Sequence, residues 1–204
     1  MSYLTDEEKA EAIKKWWAEN ATAVIGGIVL GLVGLFGWHW WTDREEQQAG
    51  VASELFVGAL SHIEAGRYPF ANNAAQQLTE TSRRTPYPAL GWVLLADLAV
   101  REGDLQRAVV ALEEARSKAR DEGFRQVVSL RLARHLVALE RLDEAEQVVS
   151  AVVSESFAGL VAEVRGDIAL ARGDQAGARS YYEQAQAAGL DTEFLRLKLD
   201  ELSA

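Results

Sequence analysis

The feature that most constrains the fold is a long apolar run near the N-terminus. Between Ala21 and Trp41 the only ionisable side chain is His39, and the run has 21 residues. As a helix it would be about 31 Å long, at roughly 1.5 Å per residue. Because the hydrocarbon core of a bilayer is about 30 Å thick, one such helix is long enough to span it. The run therefore predicts a transmembrane helix over residues 21–41.

Tryptophans flank the run on both sides, as expected for rings that prefer the headgroup region. They are Trp16, Trp17, Trp38, Trp40 and Trp41. A cleaved signal peptide is one alternative, but the run exceeds the usual length of about 7–15 apolar residues and no small-residue cleavage site directly follows it. A buried helix of a soluble domain is the other, and aromatic clusters at both ends are untypical of it. We interpret the run as an uncleaved anchor.

Basic residues near the run predict its orientation in the membrane. Three lysines precede it, whereas Arg44 is the only basic residue soon after it. The three are Lys9, Lys14 and Lys15. Basic residues favour the cytoplasmic side. We therefore expect residues 1–20 to form a cytoplasmic N-terminal segment and residues 42–204 to form a domain on the outer side, which is the periplasm in a bacterium.

Glycines are frequent within the run. Gly27 and Gly31 form a G-x-x-x-G pattern, and Gly34 extends the same helix face. Small residues allow two helices to approach closely in lipid, so these three predict a helix-packing face. The alternative is that glycine is simply common in membrane helices. Both interpretations stay open at the level of sequence.

Beyond residue 45 the apolar spacing is helical, and small residues recur at regular intervals. The recurring small residues are Ala71, Ala108, Ala145 and Ala178, each preceded twelve positions earlier by Ala59, Ala96, Ala133 or Gly166. Two facing small residues let a pair of helices pack closely as a hairpin. The intervals of 37, 37 and 33 residues resemble the tetratricopeptide repeat, whose period is about 34. The pattern predicts an all-α, tetratricopeptide-repeat-like solenoid over residues 42–204.

Turn chemistry supports the same division into hairpins. Gly103–Asp104 and Gly173–Asp174 each combine a turn glycine with an aspartate suited to cap the next helix. Arg141–Asp143 is a weaker copy, and Gly66–Pro69 is the most degraded. We expect three clear hairpins, one decayed hairpin next to the membrane, and a terminal helical segment over 192–203 that caps the solenoid.

Composition excludes several classes of function. The chain has 31 acidic and 21 basic residues and a net charge of −10, which argues against nucleic-acid binding. Without cysteine it forms no disulfide and has no thiol nucleophile. The three histidines are scattered, and no P-loop or nucleophile-elbow motif occurs. We expect no catalytic, metal or cofactor site, and a protein-binding role instead of an enzymatic one.

One charge pattern marks the candidate binding groove. Asp97, Arg134 and Asp167 each follow the small residue of the first helix of a hairpin, so stacking predicts an acid–base–acid ladder. The ladder is either an internal device that fixes the register of the repeats or a polar strip that recognises a peptide. The groove residues predicted around it are Val93, Asp97, Arg101, Leu130, Arg134, Val137, Glu163, Asp167 and Leu170.

Several segments together resemble the YfgM-type ancillary subunits of the bacterial protein-export translocon. They are residues 16–20, 37–41, 130–134, 160–167 and 173–179. The resemblance covers nearly the full length and is weakest around residues 66–73. It implies a single-pass protein of the inner membrane with a cytoplasmic N-terminus and a periplasmic repeat domain.

The resemblance also implies partners. Members of the family associate with the SecYEG translocon and with the membrane-anchored periplasmic chaperone PpiD, and help to pass nascent or unfolded polypeptides to folding factors. Members are also linked to the control of a stress response. The residues by themselves are compatible with a tethered scaffold among inner-membrane lipids, an envelope or cell-division assembly protein, or a regulator that sequesters a signalling protein. A hydrolase would need convergent polar side chains in a closed pocket.

Overall fold

The chain divides into two compact units, Met1–Gln48 and Ala49–Ala204. The computed structural model describes residues 14–17, 31, 49–81 and 84–202. Residues 14–17 are helical, and the ring centroids of Trp16 and Trp17 are 6.5 Å apart. The predicted transmembrane helix, with Gly27 and Gly34, lies outside the described residues except for Gly31. Among the described residues, no helix combines the length and apolarity needed to cross a membrane.

The second unit is α-helical over its described residues, which confirms the all-α fold predicted for this part of the chain. Consecutive helices pair as hairpins, with α1 against α2 at the N-terminal end and α7 against α8 at the C-terminal end. The helices are α1 (49–64), α2 (Tyr68–Thr79), α3 (Tyr87–Arg101), α4 (Leu105–Lys118), α5 (Glu122–Ala138), α6 (Leu142–Ser150), α7 (Ala158–Ala171), α8 (Gln175–Ala187) and α9 (Glu193–Glu201). A short 3₁₀ turn, Glu155–Phe157, precedes α7.

The hairpin turns explain why the helices end where they do. Gly66, Gly103 and Gly173 have φ angles of 69°, 79° and 82°, in the left-handed region that glycine adopts without strain. Asp104 then caps α4, its Oδ1 accepting a hydrogen bond of 2.9 Å from the backbone N–H of Arg107. The third turn has Glu140 at φ 60° instead of a glycine. The weaker turn chemistry predicted for this hairpin is thus visible in its backbone.

Small residues let the two helices of each hairpin approach, as predicted. The paired alanines of the first three hairpins are at most 1% exposed. In the fourth hairpin, a Cβ added to Gly166 would lie 2.3 Å from Cε1 and 2.4 Å from Cδ1 of Tyr182, whose side chain is fully buried. The missing side chain of Gly166 therefore makes room for the tyrosine ring.

The last helix lies where the sequence predicts a cap. The Oγ1 of Thr192 accepts a hydrogen bond of 3.1 Å from the backbone N–H of Leu195 and starts α9. Leu195 is 1% exposed and joins the core of the last hairpin. Phe194 and Leu197, two further apolar residues of the same segment, are 62% and 54% exposed. On a helix these two residues lie on a different face from Leu195.

Candidate functional site

The candidate site is a surface formed by the first helices of successive hairpins, α3, α5 and α7, and continued by α9. Ion pairs join each of these helices to the next. The side chains on the outer sides of the four helices therefore form one surface, which we call the ladder face. Its residues are Leu90, Val93, Asp97, Val100, Arg101, Val127, Arg131, Arg134, Val137, Leu160, Glu163, Asp167, Leu170, Phe194, Leu197 and Lys198.

The sign of the paired charges alternates from one helix to the next along the ladder face. Arg131 of α5 donates a hydrogen bond to Asp97 of α3. The Nη2 of Arg134 lies 3.0 Å from Oε2 of Glu163. These pairs connect α3 to α5 and α5 to α7, so the predicted ladder exists.

The partners differ from the predicted ones, because neighbouring first helices contact each other with an offset of one turn. Arg134 bonds to Glu163 and to neither Asp97 nor Asp167. Residues 97 and 134 are equivalent in the repeat, yet Asp97 bonds to Arg131, three residues before Arg134. In the same way Glu163 lies four residues before Asp167, the equivalent of Arg134. The acid–base–acid register of Asp97, Arg134 and Asp167 was therefore wrong in detail.

The C-terminal end of the ladder is its most buried part. The Nζ of Lys198 lies 3.0 Å from Oε1 of Glu163 and 2.6 Å from Oδ1 of Asp167, and its side chain is 14% exposed. The hydroxyl of Tyr182 donates a hydrogen bond of 2.8 Å to the same Asp167 oxygen. Burial, with this hydrogen bond, raises the pKa of the Tyr182 phenol well above its ordinary range. Lys198 also lies over the ring of Phe194, 4.5 Å from its centroid.

The N-terminal end of the ladder is more open. The side chains of Arg131 and Asp97 are 38% and 37% exposed, so solvent screens their attraction. His135 lies one turn beyond Arg131. Burial, and then the charge of Arg131, lower the pKa of the His135 imidazole, while Asp97 raises it. This end therefore places a histidine that favours its neutral form beside an ion pair.

The structure brings most of the predicted groove residues to one surface, but not Leu130. Leu130 is 2% exposed and belongs to the largest core cluster, because α5 is packed between α4, α6 and α7. Glu163 is also buried, at 6% exposure. Its carboxylate contacts the ladder face through ion pairs with Arg134 and Lys198. Val93 and Val137 are half-buried, whereas Arg101 and Leu170 are exposed.

Three important side chains were not predicted as part of this site: Arg131, Lys198 and Tyr182. The spacing of Asp97 and Arg131, 34 residues, is one repeat less one helical turn. Asp167 and Lys198 are 31 residues apart, so the two pairs do not share one interval. A search for opposite charges at one repeat less one turn would have found Asp97 with Arg131 but not Asp167 with Lys198.

The chemistry of the ladder face is that of non-covalent contact. Its described side chains supply apolar surface, paired charges and hydrogen bonds. Within the described ranges, no group of three or more histidines and carboxylates is arranged to hold a metal ion. In the first unit, Gly31 is exposed, and no atom of the described residues lies within 4 Å of the position that its Cβ would take.

Comparison with known proteins extends over almost the whole chain. A family model described as a tetratricopeptide repeat-like domain matches residues 14–204. Curated relatives from Escherichia coli K12 and Haemophilus influenzae are 31% and 29% identical, covering 98% and 99% of this chain and 98% and 100% of their own. A third, from Aggregatibacter actinomycetemcomitans, is 31% identical over 99% of this chain and 100% of its own. All three are named ancillary SecYEG translocon subunit. The chain belongs to this family.

A solved structure supports the fold of this ancillary translocon subunit family member independently. A tetratricopeptide repeat protein from Parabacteroides merdae superposes with a TM-score of 0.54. It is 17% identical in sequence and covers 75% of this chain and 58% of its own. At that identity the likeness shows the helical-repeat fold alone.

Proposed function

We propose that the chain is a membrane-anchored accessory protein of the Sec translocon that binds polypeptides through the ladder face as they emerge from the channel. The observation that carries the proposal is the near full-length similarity to proteins named ancillary SecYEG translocon subunit. The helical-repeat fold supports it, because such folds bind other chains along extended surfaces.

The mechanism we propose is positional. The segment 21–41 anchors the chain in the inner membrane, with residues 1–20 in the cytoplasm and residues 42–204 in the periplasm. Tethering a weak binding domain beside the channel raises its effective concentration there without any new contact. Gly27, Gly31 and Gly34 would then form the face that packs against helices of the channel or of a second anchored protein.

We further propose that the bound polypeptide passes from this chain to a membrane-anchored periplasmic chaperone of the PpiD type. Weak binding suits such a transfer. Differences in affinity between related complexes lie mostly in the dissociation rate, so a weakly bound polypeptide dissociates quickly. A scaffold that releases its client quickly leaves it available to the chaperone held in the same complex.

The test is affinity purification of the full chain from membranes in mild detergent, with identification of the copurifying proteins. We expect the SecYEG channel and a periplasmic chaperone. A variant with Gly27, Gly31 and Gly34 changed to leucine should lose the channel. The control changes Gly26 and Gly37 to leucine; these two would lie on another face of the predicted helix, so the control variant should keep the channel. Recovery of envelope-assembly or stress-signalling proteins without the channel would replace the proposal with the corresponding alternative.

Topology has a direct test because the chain has no cysteine. Single cysteines placed at Ser2 and at Ser203 can each be exposed to a membrane-impermeant maleimide on intact spheroplasts. We expect labelling at Ser203→Cys only, and labelling at Ser2→Cys after the membrane is opened. Labelling of Ser2→Cys on intact spheroplasts would contradict the proposed orientation.

A further inference from the structure

Helix α9 places its own lysine in a cation site at the C-terminal end of the ladder face. Resting on the proposed function, we propose that α9 is a displaceable internal ligand of this site. When α9 moves away, the site that α7 and α8 form for Lys198 takes a lysine side chain of a bound polypeptide instead.

The ammonium group of Lys198 is surrounded by two carboxylates and two aromatic rings. Its Nζ lies 3.0 Å from Oε1 of Glu163 and 2.6 Å from Oδ1 of Asp167. The same atom lies 5.4 Å from the ring centroid of Tyr182 and 4.5 Å from that of Phe194. Carboxylates and aromatic faces both attract a primary ammonium group. Three of these four partners belong to α7 and α8, so most of the site remains when α9 is displaced.

Burial makes the charge of Lys198 essential to whatever fills the site. The side chains of Lys198, Glu163 and Asp167 are 14%, 8% and 20% exposed. Without Lys198, Glu163 would keep its ion pair with Arg134. Asp167 would keep the hydrogen bond from Tyr182 but no counter-charge among the described residues, and a buried charge without a partner is strongly unfavourable. A polypeptide that covers these carboxylates must therefore bring a cation of its own.

Helix α9 is held to the solenoid by a small apolar contact. It has 9 residues, and Leu195 is the one that is buried, whereas Phe194 and Leu197 are exposed. An isolated helix needs about 12–15 residues to be even marginally stable, so α9 depends on this contact and on Lys198. Its displacement would leave the four hairpins with their own helix pairs, because repeat units gain stability from their neighbours along the array.

The connection between α8 and α9 can act as a hinge. Leu190 is fixed, because its Cβ would lie 2.9 Å from a Cβ added to Gly159 of α7. Asp191 and Thr192, which follow it, are exposed. Hinges are a few residues at the end of an element that absorb a change in backbone angles. Rotation at these two residues would move α9 and leave α8 in place.

The seated helix shows which kind of segment can replace it. Lys198 follows Leu195 by three residues and Phe194 by four, and residues at these separations are neighbours on a helix surface. The net charge of −10 also attracts basic segments to the protein. The occupant to which we commit is a helical segment of a client polypeptide that carries a lysine three residues after a large apolar side chain.

The first test measures the binding of labelled peptides to the full chain in nanodiscs, with empty nanodiscs as the blank. One peptide has the sequence of residues 192–203. A second keeps only the residues that correspond to Phe194, Leu195 and Lys198, among alanine and glutamine. Each is compared with a copy that has norleucine in place of this lysine. We expect the lysine peptides to bind about tenfold more tightly or better, because norleucine leaves Asp167 without a counter-charge. Equal binding within each pair would overturn the cation site.

Variants of the protein separate the occupant from the site. Leu195→Ala with Lys198→Gln removes the buried leucine and the internal cation, so a larger fraction of molecules has α9 displaced and the apparent affinity rises. We expect this open variant to bind the lysine peptides about tenfold more tightly than the wild-type chain. Adding Asp167→Asn should reverse the gain, whereas the matched change Asp97→Asn, at the other end of the ladder face, should preserve it. Unchanged affinity in the open variant, or equal effects of the two asparagine substitutions, would overturn the proposal.

The displacement of α9 can also be measured directly, because the chain has no cysteine. In a Leu195→Cys variant, labelling by a maleimide should be slow and should accelerate when the lysine peptide is added, but not with its norleucine copy. Leu197→Cys, at an exposed position of the same helix, should be labelled at one rate throughout. Absence of the acceleration would overturn the displacement. If the channel nevertheless copurifies with the wild-type chain, the inference falls while the proposed function stands.

Discussion

Replacing Gly166 by alanine tests the packing of the last hairpin most directly. Alanine is favoured over glycine within a helix by about 0.8–1.0 kcal/mol, so on helix propensity alone the change should stabilise the protein. The new Cβ, however, would lie 2.3 Å and 2.4 Å from two ring carbons of Tyr182. Carbon atoms prefer separations of about 3.5–4.0 Å, so one side chain must move by more than 1 Å.

The ring of Tyr182 has little freedom to move. It is fully buried, and its hydroxyl is held by Asp167 at 2.8 Å. Overpacking of a core costs about 1–3 kcal/mol, and a tethered ring places this site near the upper end. Subtracting the gain in propensity leaves a net loss of about 2 kcal/mol. For a domain of this size that corresponds to a melting temperature lowered by about 4–8 °C.

A second substitution, Tyr182→Leu, should reverse the sign of the effect of Gly166→Ala on stability. The equivalent positions of the second hairpin are Ala96 and Leu112, both at most 1% exposed, so an alanine packs well against a leucine in this fold. In a Tyr182→Leu background, Gly166→Ala should therefore stabilise the protein by up to about 1 kcal/mol. The assay is thermal unfolding of the full chain in mild detergent, followed by circular dichroism.

The control is Gly58→Ala on α1, where an added Cβ has open space within 4 Å. It should raise the melting temperature by a few degrees, in line with helix propensity. If Gly166→Ala stabilises the wild-type protein, or destabilises both backgrounds equally, the close approach of Gly166 and Tyr182 is not what limits this position.

Three further predictions concern the ion pairs, the caps and a histidine. Lys198→Met should lower the free energy of unfolding by about 3 kcal/mol, because the largely buried carboxylate of Asp167 loses its counter-charge while Glu163 keeps only Arg134; denaturant unfolding measures it. Arg67→Asp should raise stability by up to about 1 kcal/mol, because Arg67 occupies the N-cap of α2 without a side-chain hydrogen bond, and an aspartate there can accept from the backbone N–H of Phe70, which now donates to the Arg67 carbonyl at 3.1 Å; thermal unfolding measures it. His135 has a lowered pKa, so the unfolded chain binds its proton more readily and stability should fall as the pH drops below about 6.5; melting temperatures across pH 5–8 measure it.

Each of these has a matched control. Arg131→Gln breaks the half-exposed pair with Asp97 and should cost under about 1 kcal/mol, far less than Lys198→Met. Asp104→Ala removes an existing cap and should destabilise by about as much as Arg67→Asp stabilises. His135→Gln should flatten the acid limb of the stability profile. Equal effects of the two ion-pair variants, no gain from the new cap, or an unchanged profile would each contradict the corresponding reasoning.

The repeat architecture was predictable because it depends on residues close in sequence. Small residues twelve positions apart lie on facing helices of one hairpin, so Ala96 with Ala108 and Ala133 with Ala145 already indicate the pairing. The turn glycines and the capping Asp104 likewise act within a few residues. Such local signals survive in a single sequence.

The partners on the ladder face were not predictable in the same way, because they depend on how hairpins stack. An offset of one helical turn moved the partner of Asp97 from Arg134 to Arg131. Packing on several sides of α5 buried Leu130, which its position in the repeat assigned to the groove. The face of α9 that is buried, with Leu195 inside and Phe194 outside, also depends on contacts between distant segments.

The turn at Glu140 has a mechanical consequence. A non-glycine residue in the left-handed region costs about 1–2 kcal/mol, and the helix that follows, α6, has only 9 residues, against 14 in α4 and 13 in α8. Repeat arrays gain stability from each unit and its neighbours, so a weak unit opens locally. Amide hydrogens of α6 should therefore exchange before those of α4 and α8. A compliant joint in the middle of the array would let the ladder face adjust its curvature to clients of different bulk while both ends stay folded.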